Sequence, residues 1–256
     1  MSFSNLRLDV EGHVAQLTFT RARRLNALSK DLLREVAEVC ALIDRNDEIK
    51  VVVVSGEGSS FSAGFDLNDF TASAANPREG ADLGRVATEA LTDVRPITIA
   101  AIEGNCVGGG LVLAGACDLR VAASDCRFSI PEVDLGIPLA WGGIPRLVRE
   151  IGPALTKELV LTCRPFHADE AKSIGFLNEV VEPGRAVERA KVLAAELASK
   201  PRYALDVTKK HVNAVMEEIA GTGRNTSDAE VLVYAMHDPE SRAAGQRYLE
   251  ARNRKG

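Results

Sequence analysis

Two glycine-rich segments hold the backbone best suited to chemistry, Phe61-Ser-Ala-Gly-Phe-Asp-Leu67 and Asn105-Cys-Val-Gly-Gly-Gly-Leu111. Each leads from an apolar, strand-like run through a glycine turn into residues that read as the start of a helix. Backbone N–H groups at such a start are unpaired within the helix and carry partial positive charge, which suits an anion or an oxygen on which negative charge develops. For either segment alone, a turn that merely redirects the chain is the competing reading; the pair is a more specific pattern. Arg21, Arg23 and Arg24 place three cations within four residues, at a strand end that is either solvated or faces an anion. The cysteines (Cys40, Cys106, Cys117, Cys126, Cys163) are odd in number, widely spaced and without a C-x-x-C pair, so they read as small buried apolar residues. The four histidines show no zinc spacing, and no metal site is expected.

The elements that must position these segments follow from periodicity. Leu6, Leu8 and Val10 alternate with polar residues, Glu11-Gly12 interrupts, and Ala15, Leu17 and Phe19 resume the alternation, which predicts a hairpin. Leu32, Leu33, Val36, Val39, Cys40 and Ile43 recur at helical spacing behind Ser29, a good N-cap. The four consecutive valines 51–54 suit a parallel strand covered on both faces. Residues 69–82, polar and aperiodic, read as a mobile loop; 83–94 read as a helix and 97–102 as a second buried strand running into the second glycine segment. A helix from 111 to 117, strands at 118–122 and 127–130, and helices at 144–151 and 153–163 continue a β-β-α rhythm. From 183 onward strand signals vanish, and helices are expected at 184–199, 201–219, 227–236 and 240–254. They are more than the core needs, so their spare apolar faces predict an oligomer interface.

Composition bounds the function. The chain has 256 residues, 46% apolar and 26% charged, enough for one large domain with a full core. Its apolar stretches fall short of the roughly 18 residues of a membrane span. With 31 basic against 36 acidic residues the net charge is −5, the wrong balance for nucleic acid. No basic and apolar leader opens the sequence, which predicts a cytoplasmic protein.

Two further motifs join those of the glycine segments. Ala63-Gly-Phe-Asp-Leu67, Gly108-Gly-Gly110, Cys117-Asp-Leu-Arg120 and Pro131-Glu-Val-Asp-Leu-Gly136, in this order and at these separations, resemble the enoyl-CoA hydratase/isomerase (crotonase) family. With Arg23 to Leu28 near the start and Gln246 to Arg252 near the end, the resemblance covers essentially the whole chain. It implies an α/β fold, a crotonase-like spiral of β-β-α units, with residues 1–195 as the core holding the acyl-CoA site. Residues 196–256 would form a C-terminal helical trimerisation region, giving a homotrimer or homohexamer. The implied substrate is an acyl-CoA thioester. No other cofactor is implied, since coenzyme A arrives with the substrate.

By the same resemblance, the amides of Phe65 and Gly109 form an oxyanion hole, and Arg23, Arg24, Leu25, Ala63, Asp66, Leu67 and Gly108 contact the substrate and its CoA. Arg252, Arg254 and Lys255 are available for a further CoA contact. Family hydratases use two glutamates. Glu132 matches the second; the first falls on Val112, which neither transfers a proton nor orients water. One base suffices to move a double bond from the 3 to the 2 position, so the pattern resembles 3,2-enoyl-CoA isomerases more than hydratases. Hydration of 2-enoyl-CoA is the alternative, and a non-catalytic acyl-CoA-binding protein of the same fold is a second. Burial is expected to raise the Glu132 pKa. Asp134 would share its side if the segment is extended. Ala140 stands where dienoyl-CoA isomerases and aryl-CoA dehalogenases of the family carry an aspartate, which disfavours both reactions. Trp141 falls beside the expected acyl pocket, as a core residue or as a shaper of the acyl site.

Overall fold

In the computed structural model, which describes residues 3–72 and 77–254, strands β1 (Leu6–Glu11) and β2 (Val14–Phe19) form the expected antiparallel hairpin. Helix α1 (Lys30–Asp44) begins where its cap predicts: the Leu32 N–H donates to Ser29 Oγ at 3.2 Å. Its buried residues are the six apolar positions read from the sequence. The chain then enters β3 (Val51–Gly56), parallel to β2.

Alternation along β3 explains the layers. Val52 and Val54 face the main core together with Leu17, Leu32 and Leu33. Val51 and Val53 face the other way, with Ile99, Ala101 and Val121, onto Ala186, Ala190 and Ala194 of a later helix. The four valines are completely or almost completely buried, as a strand covered on both faces requires.

Two helices, α2 (Leu67–Ala72) and α3 (Pro77–Asp93), connect β3 to β4 (Ile97–Ile102). The loop expected at 69–82 is therefore largely helical where it is described; residues 73–76 lie outside the described residues. The helix was hidden because Gly80, Ala81 and Gly84 stand where an amphipathic pattern expects large apolar side chains.

From β4 the chain passes through β5 (Asn105–Val107), α4 (Gly109–Ala116), β6 (Leu119–Ala123) and β7 (Arg127–Ser129). Helix α4 starts two residues earlier than expected, within the glycine triplet. Helix α5 (Gly143–Thr162) joins the two predicted helices end to end, bent at Gly152, whose φ of +76° sits just before Pro153. The short β8 (Phe166–His167), α6 (Ala168–Ser173) and β9 (Glu179–Val181) follow. The main sheet has the order β1-β2-β3-β4-β6-β9 and is parallel except for the first hairpin; β5, β7 and β8 form a second, three-stranded sheet.

The last four helices are α7 (Ala186–Ala198), α8 (Arg202–Ala220), α9 (Asp228–His237) and α10 (Pro239–Asn253). The surplus is one helix smaller than the sequence suggests, because α7 supplies the cover for the second face of the sheet. Helix α8 is pinned by Lys209, whose buried Nζ donates to Asp118 Oδ2 at 2.8 Å and to the Pro96 carbonyl at 2.9 Å. Its outer face leaves Tyr203, Val212, Val215 and Ile219 more than half exposed. Among the described residues, no helix is long and apolar enough to cross a membrane.

Candidate active site

The two glycine turns are laid side by side by backbone bonds. Phe61 N–H donates to the Glu103 carbonyl (2.8 Å), Ser62 N–H to Asn105 (3.0 Å), and Val107 N–H back to Ser62 (3.0 Å). Gly64, at φ +90°, packs so closely that a Cβ there would meet the Val107 carbonyl oxygen at 2.8 Å. Beyond this seam the chain presents the amides of Phe65 and Gly109, and neither N–H has a hydrogen-bond partner among the described residues. For Gly109 this follows from its place as the first residue of α4, where an N–H has no carbonyl one turn behind it.

Gly108 holds φ +51° and ψ −121°, a conformation that an L side chain resists, and its own N–H is tied to the Ser129 carbonyl (2.9 Å). A Cβ on Gly108 would lie 2.5 Å from Glu132 Oε1. The glutamate carboxyl is thus set against the glycine that precedes α4. As a whole Glu132 is partly exposed, but its Oε2 has no accessible surface and no hydrogen-bond partner. Burial without a compensating cation pushes its pKa up, from the ordinary 4.5 to about 7.

The segment carrying Glu132 is a run of turns, not an extended strand. Leu135 N–H bonds to Pro131, Gly136 N–H to Val133 and Ile137 N–H to Glu132, all through backbone carbonyls. Asp134 is therefore not on the Glu132 side. It is exposed and lines a separate hollow with Arg127 and Cys163. Four cysteines are buried as expected, whereas Cys163 is partly exposed.

Two cavities meet at Glu132. The inner one, about 60 Å³, is walled by Phe65, Gly109, Val112, Ala140, Trp141 and Leu232, among other apolar residues, and among the described residues Glu132 is its one ionisable lining residue. The outer cleft, about 410 Å³, is lined by Arg23, Arg24, Leu25, Ala63, Asp66, Leu67 and Gly108. Phe65, Phe70, Glu132 and Ile137 border both. The residues to which the resemblance gives a catalytic or substrate contact thus each line one or the other cavity, as does Arg252, whereas Arg254 lines neither and Lys255 lies outside the described residues. Arg23, Arg24 and Leu25 are exposed at the outer cleft. Asp66 is instead spoken for: it is 6% exposed, Oδ2 accepts from Arg21 Nη2 at 2.8 Å, and Oδ1 accepts from the Asn68 N–H. With Arg21 also bonded to the Ala27 carbonyl, this pair fixes the cleft wall.

Sequence reasoning missed Phe70, Ile137, Tyr248, Leu232 and Met236. Tyr248 and Arg252 stand one helical turn apart on α10 and line the outer cleft, with Arg252 Nη1 donating to Tyr248 Oη at 3.2 Å. Leu232 and Met236 stand one turn apart on α9 and close the inner cavity. Such i, i+4 apolar pairs look like any packing stripe, so their only signal was position in the chain.

The sequence profile described as enoyl-CoA hydratase/isomerase matches residues 9–255. A short-chain-enoyl-CoA hydratase of Clostridium acetobutylicum is 36% identical, over 85% of this chain and 84% of the relative. A peroxisomal delta(3,5)-delta(2,4)-dienoyl-CoA isomerase of Arabidopsis thaliana is 34% identical, over 80% and 78%. The solved structure of an enoyl-CoA hydratase from Bacillus anthracis superposes with a TM-score of 0.81 at 30% identity, covering 97% of both chains.

Proposed function

Given that the chain belongs to the enoyl-CoA hydratase/isomerase family, we propose that it is a 3,2-enoyl-CoA isomerase using Glu132 as its single acid and base. The observation carrying this reading is that, among the described residues, Glu132 is the one ionisable residue lining the inner cavity, with apolar Val112 and Ala140 in its other walls. The acyl group enters that cavity while the outer cleft takes the CoA, with Arg23 and Arg24 as cations for its phosphates. The Glu132 carboxylate removes a proton from C2, and the C2–H electrons pass into the thioester, giving a dienolate. The amides of Phe65 and Gly109 hold the enolate oxygen. Glu132, now protonated, returns the proton at C4, and the double bond closes between C2 and C3. Two preorganised donors in a dry pocket contribute about 10²- to 10³-fold each.

Hydration asks more of the site: a water held in place and a second group to exchange its proton. An apolar wall at Val112 offers neither. The experiment is to incubate the protein separately with a 3-enoyl-CoA and a trans-2-enoyl-CoA. Unchanged mass with new thioester conjugation from the former is the expected result. Addition of water to the latter would instead select the hydratase reading, and binding without turnover of either would select the non-catalytic one.

The pH dependence is a second expectation. Proton removal needs the carboxylate, so kcat/KM should rise with pH and level off above about 7, where free Glu132 ionises. Below that value it should fall tenfold per pH unit. An acid limb near 4.5 in a kcat/KM profile would contradict the role given to the buried carboxyl.

Residues 196–256 are the proposed oligomerisation region, with the exposed apolar face of α8 as its contact surface. A trimer or hexamer by light scattering is expected, and a monomer at micromolar concentration would defeat the assignment.

A further inference from the structure

We propose that Trp141 is the floor of the acyl chamber and restricts the enzyme to acyl-CoA thioesters with short, apolar acyl groups. The inference rests on the proposed function for where the acyl group lies, beyond Glu132, and not on which reaction follows.

Trp141 lines the inner cavity and does not reach the outer cleft, so it stands on the far side of Glu132 from the exposed arginines. Two glycines make room for its indole. A Cβ on Gly84 of α3 would come within 1.8 Å of Cε2, and one on Gly109 within 2.3 Å of Cζ3. The ring is therefore wedged between two helices with no room on either flank. It meets Phe65 edge to face, with centroids 5.7 Å apart at 86°.

The backbone is held as firmly. Trp141 has φ +61°, unusual for a bulky residue, and its carbonyl lies 3.0 Å from the Thr88 hydroxyl. The next N–H, of Gly142, donates to Asp228 of α9 at 2.9 Å. A floor anchored at α3, α4 and α9 does not swing aside for a longer chain. The space left above it is small, about 60 Å³. Apart from Glu132 its lining side chains among the described residues are apolar, so an acyl tail bearing a hydroxyl or carboxylate would bury that group unpaired.

Trp141 is the chain's sole tryptophan, which makes its emission a direct probe of the chamber. The test titrates the intact protein with free CoA and with butanoyl-, hexanoyl- and decanoyl-CoA, saturated thioesters with no double bond to move, by fluorescence and calorimetry. Butanoyl- and hexanoyl-CoA should shift the emission and free CoA should not; decanoyl-CoA should bind at least tenfold more weakly than hexanoyl-CoA. In Trp141→Ala, that gap should shrink below threefold. If circular dichroism shows this variant unfolded, Trp141→Phe replaces it and should narrow the gap part-way. Equal Kd values for hexanoyl- and decanoyl-CoA in the wild type, or an unchanged gap in the folded variant, would overturn the proposal. Failure to turn over 3-hexenoyl-CoA while the binding gap holds would instead overturn only the isomerase reading.

Discussion

Glu132→Gln abolishes turnover of 3-enoyl-CoA while leaving the Kd for a saturated acyl-CoA within about threefold: this is the largest effect expected of any single conservative change. A positioned acid or base is typically worth about 10²- to 10⁴-fold, and among the described residues no other ionisable one lines the inner cavity to take over. The amide keeps the shape of the carboxyl, so binding survives. The same variant has a second readout. Folded Glu132 has a pKa of about 7 against an ordinary 4.5. Between those values the native state holds a proton that the unfolded chain gives up, so stability falls as pH rises. The loss is complete above 7 and amounts to about 3 kcal/mol. Glutamine never ionises and escapes it. Thermal melts should therefore show Glu132→Gln more stable than wild type at pH 8.5, with the advantage shrinking toward pH 4.5. A variant that lost turnover but gained nothing at high pH would mean that its carboxyl is solvated.

Gly109→Val is the second large effect, a loss of about 10²- to 10³-fold or more through the oxyanion hole. Its Cβ would lie 2.3 Å from Trp141 Cζ3 and 2.8 Å from Cη2. The indole has nowhere to go, since Gly84 closes its other side, so the start of α4 must move and take the amide with it. Pairing the smaller Gly109→Ala with Trp141→Leu removes the ring that it strikes, and should recover part of the activity lost by Gly109→Ala alone. Wild-type turnover in Gly109→Val would show that its amide is not a donor to the substrate.

What could be read from the sequence was whatever local chemistry dictates. Ser29 and the six apolar positions behind it specify α1 by capping and periodicity alone, and four valines in a row require two covers. Glu132, Phe65 and Gly109 were picked out through the resemblance that their short, contiguous motifs carry, and the structure brings all three to one cavity. Two of the misreadings share a cause: small residues whose meaning lies in a distant partner. Gly80, Ala81 and Gly84 looked like a loop, yet Gly84 is small because an indole 57 positions later fills the space. Ala186, Ala190 and Ala194 looked like part of a surplus helix, yet their spacing lets α7 lie close on the β-branched face of the sheet. Asp134 was placed by assuming an extended segment where three backbone bonds wind the chain into turns.

The late position of α7 has a consequence for biogenesis. Val51, Val53, Ile99, Ala101 and Val121 form one apolar face of the sheet, and the alanines that cover it begin at residue 186. During synthesis at about 5–20 residues per second, that face waits several seconds after Val121 is made for its cover to be translated. The nascent chain thus passes through a stage in which one side of its sheet is wet and adhesive, so the demand for chaperone protection should peak in the third quarter of translation and end once α7 has cleared the ribosome.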